Sequence, residues 1–301
     1  MAGFSSLDDF INQATTNGKF WRADWNKLTF GTTAHTAGTW YLLNQTGGNP
    51  TAGSILGTGT NLAFQATSDT TATAAGIQHG GDVGGGTGFK HIINASAFSA
   101  SATTMPAIFM LVDMLGFYPI TTVTTTGAQT LNNSVSLPRY TTGEGVRAIL
   151  VPSTVMGAGT PTVTLGYTNS AGTASRATPS SPALPLINAT APVSQVAYSG
   201  TGSGKYGPFL PLQSADAGIR SVQSVNFSAT MTSGVMNLVL VKPLLTLPMT
   251  TIGVAAERDL LNQVPSLPKV YDGACLQWMM YAGAATPVNS PFYGHLDFAW
   301  S

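Results

Sequence analysis

Threonine is the residue that most restricts what this chain can become. It fills 41 of 301 positions, in runs such as Thr121-Thr122-Val123-Thr124-Thr125-Thr126, while glutamate occurs only at Glu144 and Glu257 and lysine six times. A β-branched side chain loses χ1 freedom in a helix and packs well on a pleated surface. Glutamate and lysine are what a helix normally shows to water. The composition therefore predicts many strands and few helices. Turn signals divide the chain at 44–50, 57–60, 80–88, 157–161, 169–172 and 200–207. Between them, apolar and β-branched runs predict strands at 40–43, 62–66, 108–112, 146–151, 162–167, 221–230 and 236–241. Short strands at such spacing point to an all-β fold built as a sandwich or jelly roll.

The two ends differ from this body. In residues 1–30, Ser6 followed by Asp9 reads as a capping box, and Leu7, Phe10, Ile11 and Ala14 lie at helical spacing, so a helix is expected to run to Thr16 and stop at Asn17-Gly18. Phe20, Trp21, Trp25 and Phe30 follow, interleaved with Lys19, Arg22, Asp24 and Lys27. This reads as an anchoring arm with aromatic hot spots, or as a cap on the chain's own sandwich. Residues 251–301 form an aromatic extension, with a helical turn or two expected at 255–264 before Tyr271, Trp278, Tyr281, Phe292, Tyr293, Phe298 and Trp300. It packs on the body or on a neighbour.

The body carries a trace of duplication. Phe98-Ser99-Ala100-Ser101 recurs as Phe227-Ser228-Ala229-Thr230, and Leu111-Val112 as Leu240-Val241, both at an offset of 129. Gly38 to Leu43 resembles Gly145 to Leu150, and Gly57 to Thr60 resembles Gly157 to Thr160. These matches predict two related β-sandwich or jelly-roll-like lobes, 31–140 and 141–250; the alternative is one large sandwich with insertions.

Charge narrows the function. Twelve Lys/Arg and twelve Asp/Glu cancel to zero and make 8% of the chain, so nothing here displaces counterions from phosphates and a nucleic-acid partner is not expected. Six of these charges, Asp8, Asp9, Lys19, Arg22, Asp24 and Lys27, precede position 28, and none falls between 28 and 68. A body this neutral suits a surface covered by partners, because charge is depleted at interface cores. The apolar run near Met105–Leu115 carries Asp113 and is too short to span a bilayer, so no membrane partner is expected. The N-terminus shows no secretory leader pattern. Cys275 is the single cysteine, which excludes an intramolecular disulfide and a multi-cysteine zinc site.

Catalytic patterns are weak. Gly202-Ser-Gly-Lys-Tyr-Gly207 matches a dinucleotide fingerprint, but Pro208 and Pro211 forbid the helix it needs. His79, Asp82 and His91 flank a glycine-rich segment and could converge on a metal, although a surface loop is the better account of them. Asp8-Asp9 suit a helix start, and Glu144 with Arg147 a local pair. No catalytic, cofactor-binding or metal-ligating residue is selected.

Several segments carry a family likeness: Gly207-Pro-Phe-Leu-Pro-Leu212, Ala217-Gly-Ile-Arg-Ser-Val222, Asn237-Leu-Val-Leu-Val-Lys-Pro-Leu244, Ala274-Cys-Leu-Gln-Trp278 and Tyr293-Gly-His-Leu-Asp-Phe298. In them the chain resembles structural proteins of tailed bacteriophage virions. It lacks the long charged spine helix and extended charged loop of major capsid proteins, and the heptads of fibre shafts. The resemblance thus implies a head decoration or cement protein: non-catalytic, made in the host cytoplasm, located on the capsid surface and stabilising capsomer contacts. Its expected partners are the major capsid protein and itself as a homotrimer, because capsids present local threefold axes. Phe20, Trp21, Trp25, Trp278 and Trp300 are the expected interface anchors. The alternative is a β-rich tail or neck component or a carbohydrate-binding adhesin; a glycan hydrolase ranks third.

Overall fold

The computed structural model describes residues 3–29, 34–53, 63–68, 76–84, 88–101, 105–120, 123–179, 195–197, 207–263 and 267–301. The turn expected at 57–60 and most of that at 200–207, with Gly202 and Gly204 of the dinucleotide-like run, lie outside them. Helix α1 (Leu7–Ile11) continues as a π-helical turn, Asn12–Thr16, and ends at Gly18 in the left-handed region. Strands follow in the order β1 (Phe20–Leu28), β2 (Thr39–Leu42), β3 (Gly48–Asn49), β4 (Gln65–Ala66), β5 (Phe89–Phe98), β6 (Ala107–Ile120), β7 (Gly127–Thr130) and β8 (Arg147–Pro152). Then come β9 (Val163–Asn169), β10 (Arg176–Ala177), β11 (Ile219–Phe227), β12 (Met236–Met249), β13 (Ala256–Asp259), α2 (Leu260–Gln263), β14 (Lys269–Tyr271), β15 (Leu276–Ala282) and β16 (Pro291–Ala299). The protein is all-β, in three antiparallel sheets.

Strands recur at a fixed offset, but over other bounds than 31–140 and 141–250. At the offset already seen in the sequence, β5 to β8 land on β11, β12, β13 and β15: Phe98 on Phe227, Ala107 on Met236, Ile120 on Met249, Gly127 on Ala256 and Arg147 on Leu276. Strand β16 stands where β9 does, since Phe98 pairs with Tyr293 as Phe227 pairs with Val163. The repeats therefore run from 89 to 169 and from 219 to 299. A second signal in the sequence marks them: Leu131-Asn132-Asn133 with Leu137-Pro138-Arg139-Tyr140 recurs as Leu261-Asn262-Gln263 with Leu267-Pro268-Lys269-Val270-Tyr271. It sits at an offset of 130, with one further residue before the tyrosine, so a search at 129 misses it.

The register shows how the repeats meet. Strands β6 and β12 pair from Ala107↔Met249 to Ile120↔Met236, so the shift from one repeat to the other exchanges the two ends of the ladder. Each strand carries one bulge, at Leu115 and at Leu244, again at equivalent positions. A pseudo-twofold axis thus passes through the central sheet at the Asp113↔Lys242 pair. Every ladder among these ten strands joins one repeat to the other: β5 to β13 and β16, β6 to β12 and β15, β11 to β7 and β9, β12 to β8. The stretches 31–140 and 141–250 are not closed units, because β6 and β7 of the first pair with β12 and β11 of the second, and β5 pairs with β13 and β16 beyond both.

The central sheet, β2-β15-β6-β12-β8 with β4 on β6, bears a second six-stranded sheet, in which β14 pairs with β5, and a four-stranded one. The order β13-β5-β16-β1-β3 covers one half and β10-β9-β11-β7 the other. The first sandwich encloses Trp25, Phe109, Trp278, Phe292 and Phe298; the second encloses Leu150, Tyr167, Val222, Phe227 and Leu238. Phe109 and Leu238 occupy equivalent positions in the two repeats, so one apolar pattern builds both cores. Both termini enter the first sandwich as β1 and β16, paired from Phe20↔Ala299 to Leu28↔Pro291. Residues 20–28 are consequently a sheet strand and not an arm, and the C-terminal aromatics other than Trp300 sit in β14 to β16. Residues 256–259, expected to be helical, pair with β5 instead, leaving α2 as a single turn.

Candidate functional site

Strand alternation decides which expected anchors can meet a partner. Along β1 the inward positions are Ala23, Trp25 and Lys27, and the outward ones include Arg22 and Asp24. Trp25 is 2% exposed and lies 5.0 Å from the fully buried Trp278 ring, with Phe109 edge-on to Trp278 at 5.8 Å. Neither tryptophan is an anchor. Both are core, because a strand register that exposes Arg22 and Asp24 must turn Trp25 inward. Phe20 and Trp21, at the outer end of β1, are 38% and 44% exposed. Trp300, just beyond β16, is half-buried beside them, its backbone N–H donating to Lys19 O at 3.3 Å.

Helix α1 extends this end. Ser6 Oγ caps it by accepting from Asp9 N at 3.1 Å, whereas Asp9 reaches back to Ser5 N at 2.9 Å rather than to Ser6. None of its residues is buried; Leu7 is 61% and Ile11 47% exposed. Phe4 and Phe10 hold the segment down, packing edge-to-face at 5.1 Å with Phe4 6.0 Å from the His91 ring. The sequence pattern puts Leu7 and Ile11 on the helix's apolar face without showing that this face is left outside. Spacing alone does not tell an apolar face turned to the core from one turned to water.

The wall behind Trp21 is rigid. A Cβ added to Gly80 would lie 2.7 Å from the Trp21 ring, so only glycine admits the indole there. That turn is held by a buried network: Asp272 accepts from Val83 N at 3.0 Å and Gly84 N at 2.9 Å, and Lys90 Nζ stands 3.8 Å from Asp272 and 3.1 Å from His79 Nδ1. His79 Nε2 lies 3.1 Å from Ala274 O. His79 is thereby engaged in the core, Asp82 is exposed and His91 faces Phe4, so the three do not converge; no group of metal-ligating side chains occurs among the described residues.

Charge elsewhere serves packing or the outward face of the sheet that holds β1 and β16. Asp297 takes both Arg22 bonds at 2.7 Å, and His295 Nδ1 lies 2.8 Å from Ser96 Oγ with Nε2 4.0 Å from Asp297. This resembles a nucleophile's trio only in composition. Ser96 is 7% exposed, its Oγ accepts from His295 N at 3.1 Å, and Asp297 is committed to Arg22. Near the pseudo-twofold axis, Asp113 binds Arg139 through two bonds of 2.8 and 2.7 Å and accepts from Cys275 N at 3.0 Å. Burial pushes the Cys275 thiol up to about 12, which keeps it protonated and unreactive.

No family model matches the chain, and no curated protein matches it. Among solved structures it is similar to the VP2 subviral particle of infectious bursal disease virus, over 98% of this chain and 87% of that one, at 8% identity and a TM-score of 0.20. A score that low carries no argument about fold or function. No helix among the described residues is long and apolar enough to cross a membrane.

Proposed function

We propose that the protein is a non-catalytic structural component of a bacteriophage virion, a decoration or cement protein that binds the outer capsid surface and stabilises capsomer contacts. The supporting observation is the exposed apolar end made by Leu7, Ile11, Phe20 and Trp21 on a molecule in which charged residues make only 8% of the chain. Exposed aromatic and aliphatic side chains interleaved with a few charges suit a protein interface, the apolar groups as anchors and the charges fixing register. The major capsid protein is the partner proposed for this end, and a homotrimer of the chain is proposed to sit at local threefold positions. Phe20, Trp21 and Trp300 are the anchors in this reading.

The test is co-sedimentation with empty capsids. The intact protein should pellet with them, and a variant lacking residues 1–17 with Trp21→Ala should lose at least tenfold in affinity while keeping its fold. Retained binding by that variant would move the interface elsewhere. Failure of the intact protein to bind capsids, with binding to a glycan array, would replace this reading with the adhesin.

A further inference from the structure

Strand β1 is paired along its whole length on one edge only. Its ladder with β16 runs from Phe20 to Leu28, whereas β3 meets it only at Asn26 and Lys27. Hydrogen bonds at the ends of β1 fix which residues turn to which side. Lys19 O accepts from Trp300 N at 3.3 Å and Thr29 N donates to Ser290 O at 3.0 Å, both toward β16, while Leu28 N donates to Gly47 O at 3.0 Å on the other side. Backbone groups alternate sides along a strand. Phe20, Arg22 and Asp24 therefore turn their N–H and C=O groups away from β16. Of these groups only Asp24 O has a partner among the described residues, Asn49 Nδ2 at 3.0 Å. Phe20, Trp21, Arg22 and Asp24 are all exposed. Beside them lies a cleft of about 260 Å³ whose walls include Trp21, Ala23, Asn49, Pro50, Ile77 and Gln78.

We propose that this edge takes up an extended segment of another protein as an added antiparallel strand, with a lysine or arginine opposite Asp24 and an aliphatic side chain opposite Ala23. A row of unmet backbone donors and acceptors is matched by an extended strand and by little else. Strand β3 sets the direction: it runs antiparallel to β1 and ends opposite Asn26, and no strand among the described residues continues that lane alongside Phe20 to Asp24. Alternation then assigns the side chains. The incoming residue opposite Asp24 stands on the outward face, and the one opposite Ala23 turns inward to the cleft, where Trp21 and Ile77 supply apolar contact. Arg22 is already neutralised by Asp297 through two bonds of 2.7 Å, whereas Asp24 holds no ion pair among the described residues, so the charge left to match is negative. A second copy of this chain does not meet that requirement. The antiparallel register that sets its Arg22 opposite Asp24 also sets its Phe20 opposite Asn26, the place Asn49 holds. This inference concerns how the edge binds and does not rest on the capsid reading.

The probe is the acetylated peptide Lys-Val-Thr-Val-Thr, labelled with a fluorophore at its C-terminus and titrated into the full chain; no capsid is present, so the result is independent of co-sedimentation. It should bind with one peptide per chain. N-methylation of its central threonine, whose N–H faces Arg22 O, should lower affinity at least tenfold, and N-methylation of the valine after it, whose N–H faces away, should leave affinity unchanged. Asp24→Lys should weaken binding at least tenfold, and Glu-Val-Thr-Val-Thr should recover it on that variant; Asp24 is exposed, and an unchanged Tm confirms the fold. Absence of binding would overturn the proposal. So would equal effects of the two N-methyl groups, because side chains alone would then make the contact. A dimer of the chain alone in sedimentation velocity that Asp24→Lys dissociates would give the edge to a second copy and overturn it as well.

Discussion

Single side chains in this protein carry more of the architecture than their scarcity suggests. Lys27 is fully buried, and its ammonium has carbonyl partners, Thr46 O at 3.3 Å and Pro50 O at 2.8 Å. Burial lowers its pKa from 10.5 to about 8. The unfolded chain therefore holds this proton over a pH range in which the folded chain has released it, and Lys27 makes stability rise with pH between about 8 and 10.5. The full span is about 3 kcal/mol. Denaturant titrations at pH 7.5 and pH 10 should show that rise in the natural protein, and Lys27→Met should flatten it. Trp25 gives a second expectation. Its indole N–H is buried and has no hydrogen-bond partner among the described residues, so Trp25→Phe retains most of the packing without leaving a polar group stranded. Trp25→Ala should cost about 3–5 kcal/mol through the cavity it opens, and Trp25→Phe far less, both read from denaturant midpoints.

At the scale of elements, the ladder between β6 and β12 holds the fold together, and Arg139 secures its centre. Arg139 reaches Asp113, Thr67 O and Met114 O, tying the segment before β8 to the bulged middle of β6. Removing one member of a buried charged pair strands the other, so Arg139→Ala should cost about 3–5 kcal/mol. The sequence does not single out Arg139, because its partner is distant along the chain with a turn between. By contrast the strands themselves were legible: 146–151 is observed as Arg147–Pro152 and 162–167 as Val163–Asn169. Their apolar alternation and flanking glycines act locally. Strands β5 and β16 carried weaker signals, because His91, Asn94, Ser96, His295 and Asp297 interrupt the apolar pattern with polar residues that only cross-strand pairing accommodates. Strand β1 was hidden for a related reason, since its charges face outward on a sheet that cannot be seen until β16 is placed beside it. A deletion of residues 1–17 should therefore leave Tm nearly unchanged, whereas deletion of 1–28 strips an entire strand and should lower it sharply.

At the scale of the molecule, two repeats whose strands pair across from one to the other and not within either cannot unfold separately. Calorimetry should show one transition, despite three hydrophobic clusters, because β6 and β12 each contribute to all of them. Residues 1–200 and 201–301, produced apart, should remain unfolded, and produced together should assemble. Two resolved transitions would mean that the sandwiches are independent after all.

Composition and local pattern determined by themselves that this chain is all-β, that it opens with a short capped helix, and that part of it is repeated at a fixed offset. Those properties follow from χ1 restriction, turn chemistry and side-chain alternation, which act over short stretches. Which strands pair, and so which tryptophans are core and which meet a partner, was decided only by the tertiary structure. Trp21 and Trp25 stand close together in similar company, yet one rests on Gly80 at the surface and the other is sealed against Trp278. The two share one face of β1, four residues apart, so alternation does not separate them; what does is the neighbour beneath each, Trp278 of β15 under Trp25 and the turn at Gly80 under Trp21, both brought there from elsewhere in the chain by the fold.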